Sequence, residues 1–187
     1  MEYLFYKWDS YFNKSELGKL SETIYDKRNK EFEEIGATVN GERIKKATTL
    51  AFEWIAVKHL MKRLDEAIFV TNQNKYGYNV HTLLDCDTLL YNIYDAKKNH
   101  AYAWHKDGEG DGDKVCIKFT VLINVSTEPY EGGKFQLFGN GGETEVPAMN
   151  TPGSVVMFKS DIPHRVLPIT KGIRKSITIF IKGPPFV

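Results

Sequence analysis

The sequence has 187 residues, with 25 basic side chains against 24 acidic ones, 42% hydrophobic and 13% aromatic content. A chain of this length and composition buries a proper core, which argues against disorder, and its formal charge of +1 argues against the strongly basic surface that holds nucleic acid. No window approaches 18 consecutive apolar residues, so no membrane span is expected.

The chain opens on MEYLFYKWDSYF, whose short apolar start soon meets Lys7 and Asp9; it does not read as a signal peptide. From Ser15, Leu17, Leu20, Ile24 and Phe32 recur near helical spacing, with Gly36 as the stop. The spacing predicts a second helix over 49–68, striped with Leu50, Trp54, Val57, Leu60, Met61 and Leu64. Both stripes read as core contacts rather than as a partner or membrane face. After Asn72 the period changes, and strands are expected over 88–94, 115–125, 134–138, 153–159 and 173–182. In VCIKFTVLINV, Val115, Ile117, Phe119, Val121, Ile123 and Val125 share one apolar face. In IRKSITIFIK, Ile173, Ile177, Ile179 and Ile181 share a face, while Arg174, Ser176 and Thr178 point the other way.

Helices followed by many short strands predict an α+β, mainly β domain over 1–187: a β-sandwich or jelly roll with the N-terminal helices packed on one sheet. Residues 1–70 read as helical support and 72–187 as the β core. Cys86 and Cys116 form no zinc spacing and lie beside apolar segments. They are expected as two buried thiols in a reducing, cytoplasmic compartment.

One stretch of the β region carries chemistry: YAWHKDGEGDGDK, residues 102–114. At i and i+2 of an extended segment, His105 and Asp107 project to the same side and can meet one metal ion. An HxD pair alone is weak evidence. It gains weight from His164, which follows a strand and a Pro-containing turn in VVMFKSDIPHRV. Two imidazoles and one carboxylate favour non-haem Fe(II) and leave three coordination positions open, enough for a chelating α-keto acid and O2.

Arg174, ten residues after His164 and on the polar face of the last strand, requires an anion there, because an unpaired buried guanidinium costs several kcal/mol. That anion is either a carboxylate of this chain or the far end of a dicarboxylic keto acid. Ser176 adds a hydroxyl from the same face.

The rival calcium reading of Asp107, Glu109, Asp111 and Asp113 fails at the twelfth loop position, where Lys118 stands in place of a bidentate glutamate. The acidic, glycine-rich run 108–114 reads instead as a mobile rim loop that closes over substrate. His59, His81 and His100 read as structural or surface residues, and Trp104, facing away from His105, as core packing. Arg165 remains open between a substrate contact and a solvated side chain. Tyr130 reads as packing.

HxD at 105–107, PYEGGKFQL at 129–137, PGSVVMF at 152–158 and PHRVLPITKGIRKSI at 163–177 together resemble the Fe(II)/2-oxoglutarate-dependent dioxygenases, within them the prolyl-4-hydroxylase-like branch. The likeness covers about residues 85–183. It implies a double-stranded β-helix and a catalytic core over 72–187. It also implies iron on His105, Asp107 and His164, and the far carboxylate of 2-oxoglutarate on Arg174 and Tyr94. Tyr102 is implied in the iron pocket, and Gly132-Gly133 in a tight turn.

The activity implied is hydroxylation of an unactivated C–H bond, with O2 as co-substrate, no side-chain general base, and ascorbate to return stray Fe(III) to Fe(II). A peptidyl proline or another protein residue is the substrate this branch implies. A free amino acid or small metabolite comes next, and a catalytically inactive metal-binding interaction module is the reading from another class. Neither a nucleic acid nor a membrane is expected as a partner.

Overall fold

A computed structural model describes residues 4–27, 38–39, 42–108, 116–139 and 141–185. The first helix runs Lys14–Lys27. Its start is fixed reciprocally: the Asn13 backbone N–H donates to Glu16 Oε2 at 2.8 Å, and the Glu16 N–H donates to Asn13 Oδ1 at 3.0 Å. Leu17, Leu20 and Ile24 are buried as their spacing requires. Phe32 and Gly36 lie outside the described residues, as does the rim loop beyond Gly108.

The second helix differs from expectation. It runs Lys58–Thr71, and Thr48–Glu53 before it is a strand. The reason is a period-two pattern inside the apparent stripe: Leu50 and Phe52 are buried while Ala51 and Glu53 are exposed, and Thr48 and Thr49 are β-branched. A single 3-10 turn, Trp54–Ala56, joins strand to helix. Leu50, Trp54, Val57, Met61 and Leu64 still enter one apolar cluster, through three kinds of local structure.

Two antiparallel sheets stack to form the β core. In the six-stranded sheet the order is Tyr6–Trp8, Val155–Lys159, Cys116–Asn124, Ile173–Gly183, Thr88–Asp95, Thr48–Glu53. In the five-stranded sheet it is Gly142–Glu145, Phe135–Gly139, His164–Val166, Ala101–His105, Lys45–Lys46. The first 70 residues thus supply strands to both sheets as well as helices. A short pair, Glu131–Gly132 with Ile169–Lys171, closes one end.

Side-chain alternation divides the large sheet into two faces. Phe119, Val121, Ile123, Val125, Ile177, Ile179 and Ile181 pack against the helices. Leu122, Val156, Phe158 and Tyr94 face the small sheet, meeting Phe135, Leu137 and Val166. Two members of the predicted apolar faces fall short at strand ends: Ile173 is 40% exposed and Ile117 only half-buried. The thiols also differ from expectation, Cys86 being exposed and Cys116 half-buried, both free. Cys86 lies in the turn before the Thr88 strand and not within it, so the sheet does not cover it.

Candidate metal centre and anion pocket

The small sheet sets two imidazoles side by side. His105 and His164 are direct cross-strand partners, and their ring centroids are 4.0 Å apart. Each ring Nδ1 lies against the backbone carbonyl two residues earlier, His105 with Ala103 at 2.8 Å and His164 with Ile162 at 3.1 Å. A carbonyl only accepts, so Nδ1 carries the proton and the Nε2 lone pair is left for a metal.

Asp107 lies just past the strand, its N–H donating to Ser160 O at 3.0 Å. Its Oδ1 is 3.7 Å from His105 Nε2 and its Oδ2 is 3.3 Å from His164 Nε2. One candidate ligand atom from each of the three lies within 4.8 Å of the others. These contacts are not ion pairs. Burial, with His164 adding to it, pushes His105 down to about 3, and burial lowers His164 despite the pull of Asp107. Neutral imidazoles beside a carboxylate are the state a divalent metal ion needs.

From the large sheet, Thr120 Oγ1 donates to Asp107 Oδ2 at 2.6 Å, fixing the carboxylate from the opposite side of the β core. Thr120 was legible in principle, as a hydroxyl facing inward between Phe119 and Val121, but nothing in the sequence paired it with Asp107. The Tyr102 ring stacks on His105 with centroids 3.5 Å apart.

Arg174 stands in the same cavity, 1% exposed. Its Nη1 donates to Ser176 Oγ at 3.4 Å, and its Cζ lies 5.5 Å from the ring centroid of Tyr94, its cross-strand partner. Among the described residues its Nε and Nη2 have no hydrogen-bond partner. Burial pushes the Tyr94 phenol up to about 12, against the opposing pull of Arg174, so it is a neutral donor at physiological pH. The alternative left open by the sequence, a carboxylate of this chain on Arg174, is not what the described residues provide.

Of two adjacent glycines, Gly133 makes room for this arginine and Gly132 for the backbone of Pro168 and Thr170. A Cβ on Gly133 would lie 2.9 Å from Arg174 Cδ and 2.2 Å from Ile169 Cδ1; one on Gly132 would lie 2.5 Å from Pro168 O. Both have positive φ, +63° and +76°, which only glycine adopts without strain.

The cavity thus joins a donor set that suits Fe(II) to an orphaned guanidinium that suits a carboxylate, which is the pair of features a metal-chelating dicarboxylic keto acid requires. Lys45, Asn92 and Thr178 line it as well. No sequence pattern marks Lys45, which sits in a two-residue strand.

The residues left outside the site have clear places. Trp104 is not core but half-buried on the outer face of the small sheet, edge-on to Phe138 at 5.9 Å and 4.5 Å from the Arg165 guanidinium carbon. Phe138 beside it is 49% exposed. Arg165 donates to Gln136 Oε1 at 2.7 Å and to Glu143 Oε2 at 2.8 Å, on that same face and away from the cavity. Tyr130 packs with its hydroxyl on Asn124 Nδ2 at 3.1 Å and Met149 O at 3.3 Å. His59 and His81 are exposed, and His100 is buried with its Nδ1 accepting from the Asp95 N–H at 3.1 Å.

A model of the 2OG-Fe(II) oxygenase superfamily matches residues 89–182, which include every predicted site residue. A PKHD-type hydroxylase of Azoarcus sp. (strain BH72) is 28% identical over 118 residues, covering 60% of this chain and 50% of that protein. The chain thus matches about half the length of this curated relative. Among solved structures, a Pseudomonas putida prolyl-4-hydroxylase superposes with a TM-score of 0.70 at 16% identity, covering 97% of this chain and 94% of the other. The non-haem α-ketoglutarate-dependent carbocyclase SnoK from nogalamycin biosynthesis also gives 0.70, at 14% identity, covering 97% of this chain and 80% of the other. At such identities these structural likenesses establish the fold alone.

Proposed function

The chain belongs to the 2OG-Fe(II) oxygenase superfamily, and from that premise we propose that it is an Fe(II)- and 2-oxoglutarate-dependent dioxygenase that hydroxylates an unactivated C–H bond of a peptidyl proline or another protein residue. The observation that carries the reading is Arg174: a fully buried guanidinium with two unpartnered nitrogens, in one cavity with two neutral imidazoles and a carboxylate. Leaving such a charge unpaired costs several kcal/mol, so its retention points to a ligand anion.

His105, Asp107 and His164 would hold the iron, and Arg174, with Ser176 and the Tyr94 phenol beside it, would hold the far carboxylate of 2-oxoglutarate. With both bound, O2 converts the keto acid to succinate and CO2 and delivers one oxygen atom to the substrate C–H bond. The chain's own contribution is positioning and exclusion of water. The backbone carbonyls of Ala103 and Ile162 keep both Nε2 atoms deprotonated, and Thr120 holds one carboxylate oxygen of Asp107 in place. Tyr102 covers the open face of His105. No side-chain general base is needed, and ascorbate is the expected reductant for stray Fe(III).

A peptide substrate is favoured by likeness to PKHD-type and prolyl hydroxylases. A small-molecule substrate is the second reading, supported by the equally good superposition on a carbocyclase from nogalamycin biosynthesis. The inactive-module reading is disfavoured by the presence of every ligand side chain the chemistry needs. No described helix is long and apolar enough to cross a membrane. An exposed free thiol, Cys86, fits a reducing compartment, and a cytoplasmic location is part of the proposal.

The test is mass spectrometry of candidate peptides and small molecules incubated with Fe(II), 2-oxoglutarate and O2. A one-oxygen mass gain that requires both iron and keto acid is expected. Absence of iron-dependent succinate formation, with or without substrate, contradicts the reading.

A further inference from the structure

The cavity holds a second buried cation besides Arg174. Lys45 comes from the edge strand of the small sheet, where it lies across from Tyr102, and it is 5% exposed. Alternation along that strand sends Lys45 inward and Lys46 out to solvent. Lys45 Nζ donates to Asn92 Oδ1 at 2.9 Å and stands 5.5 Å from the Tyr102 ring centroid.

Asn92 is well served without the lysine. Its Oδ1 also accepts from Thr49 Oγ1 at 3.0 Å, and its Nδ2 donates to Thr178 Oγ1 at 3.0 Å. The Asn92 amide therefore keeps hydrogen bonds at both ends without the ammonium. Burying an ammonium instead works against stability, and desolvation pushes Lys45 down to about 8 while the Asp107 carboxylate pulls it back up.

The two cations occupy different depths of the cavity. Arg174 pairs across the large sheet with Tyr94. The lysine's partner, Asn92, pairs with Ser176, two residues along the last strand toward Phe180. Phe180 in turn lies opposite Thr120, the residue that holds Asp107. In register, the lysine's partner thus lies between Arg174 and the residue that holds Asp107, and the lysine itself stands against the Tyr102 ring that stacks on His105.

We propose that Lys45 is a co-substrate-binding residue that pairs with the carboxylate adjoining the keto group of 2-oxoglutarate, so that the dianion lies between two cations, Arg174 at its far end and Lys45 at its metal end. This rests on the co-substrate reading above and deepens it, by giving the chain a means of selecting 2-oxo acids that the iron ligands alone do not supply.

The experiment is titration of the Zn(II)-loaded protein, which binds without turnover. One ligand is 2-oxoglutarate, read by calorimetry. The other is 2-oxobutanoate, which keeps the keto acid end but lacks the far carboxylate, read by ligand-observed NMR at millimolar concentration.

Lys45→Met is expected to weaken both ligands by a similar factor, on the order of 10-fold to 100-fold for one charge-assisted hydrogen bond. Arg174→Met should weaken 2-oxoglutarate alone, and Lys45→Arg should recover part of the loss. Thermal unfolding of ligand-free Lys45→Met should occur no lower than in the wild type, which separates a binding role from a structural one. Unchanged affinity in Lys45→Met overturns the proposal, as does a loss confined to 2-oxoglutarate. Failure of the wild type to bind 2-oxoglutarate at all would instead sink the co-substrate reading.

Discussion

The two faces of the large sheet solve opposite problems with the same strands. Toward the helices, Phe119, Val121, Ile123, Ile177 and Ile179 build a dry apolar layer in which every side chain contributes to stability. Toward the small sheet, the alternate residues of those same strands include Thr120, Asn124, Arg174, Ser176 and Thr178, buried and polar, beside the apolar Leu122. Such a face stabilises poorly, and Arg174 with two unpartnered nitrogens works against it. The difference teaches that the helix-facing side is spent wholly on holding the fold, while the other divides itself between apolar packing and a polar stretch suited to ligands. Substitutions on the two faces should therefore separate stability from binding.

The largest separation is expected at the metal ligands. Asp107→Ala or His105→Ala should abolish Fe(II)-dependent succinate formation while thermal unfolding stays cooperative, read by enzyme assay beside calorimetry. On the helix-facing side, Ile179→Ala should cost about 2–5 kcal/mol of stability in denaturant unfolding, the usual range for emptying a core isoleucine site. The fraction that remains folded should bind 2-oxoglutarate with wild-type affinity.

Arg174→Met should do the reverse. It should weaken 2-oxoglutarate roughly 100-fold, the scale of two charge-assisted hydrogen bonds, with metal affinity unchanged and unfolding stability not reduced, because an unpaired buried charge has been removed. A clear loss of stability in that variant would break the comparison of the two faces. The smallest effect is expected from Thr120→Val, which keeps the side chain's shape and removes the hydrogen bond to Asp107. Metal affinity should fall about 10-fold, the lower end for groups that orient a ligand, as measured by Fe(II) titration under argon.

Much of this was legible in the sequence, because period-two alternation in two long strands is a strong signal. IRKSITIFIK told its isoleucine face from its Arg174–Ser176–Thr178 face, and the described part of VCIKFTVLINV did the same apart from the half-buried Ile117. Short elements were not legible. Lys45–Lys46 has too few residues to show any period, so the buried Lys45 carried no mark. Thr48–Glu53 was hidden because Leu50, Trp54 and Val57 happen to fit helical spacing while also obeying the alternation of a strand followed by one turn. Trp104 was placed on the correct side of its strand, but sequence does not tell whether another layer covers that side. The His-Asp-His cluster was readable from motif spacing, whereas Thr120 reaches Asp107 across the β core and no local pattern reports such a contact.

The most direct test of the account is anaerobic calorimetry of Fe(II) binding to the wild type, His105→Ala and His164→Ala. One ion per chain, with affinity lost alike in both variants, is the predicted result, since the two rings are cross-strand neighbours aimed at one carboxylate. Wild-type affinity in His164→Ala would contradict it, because the ion would then not be shared between the two strands.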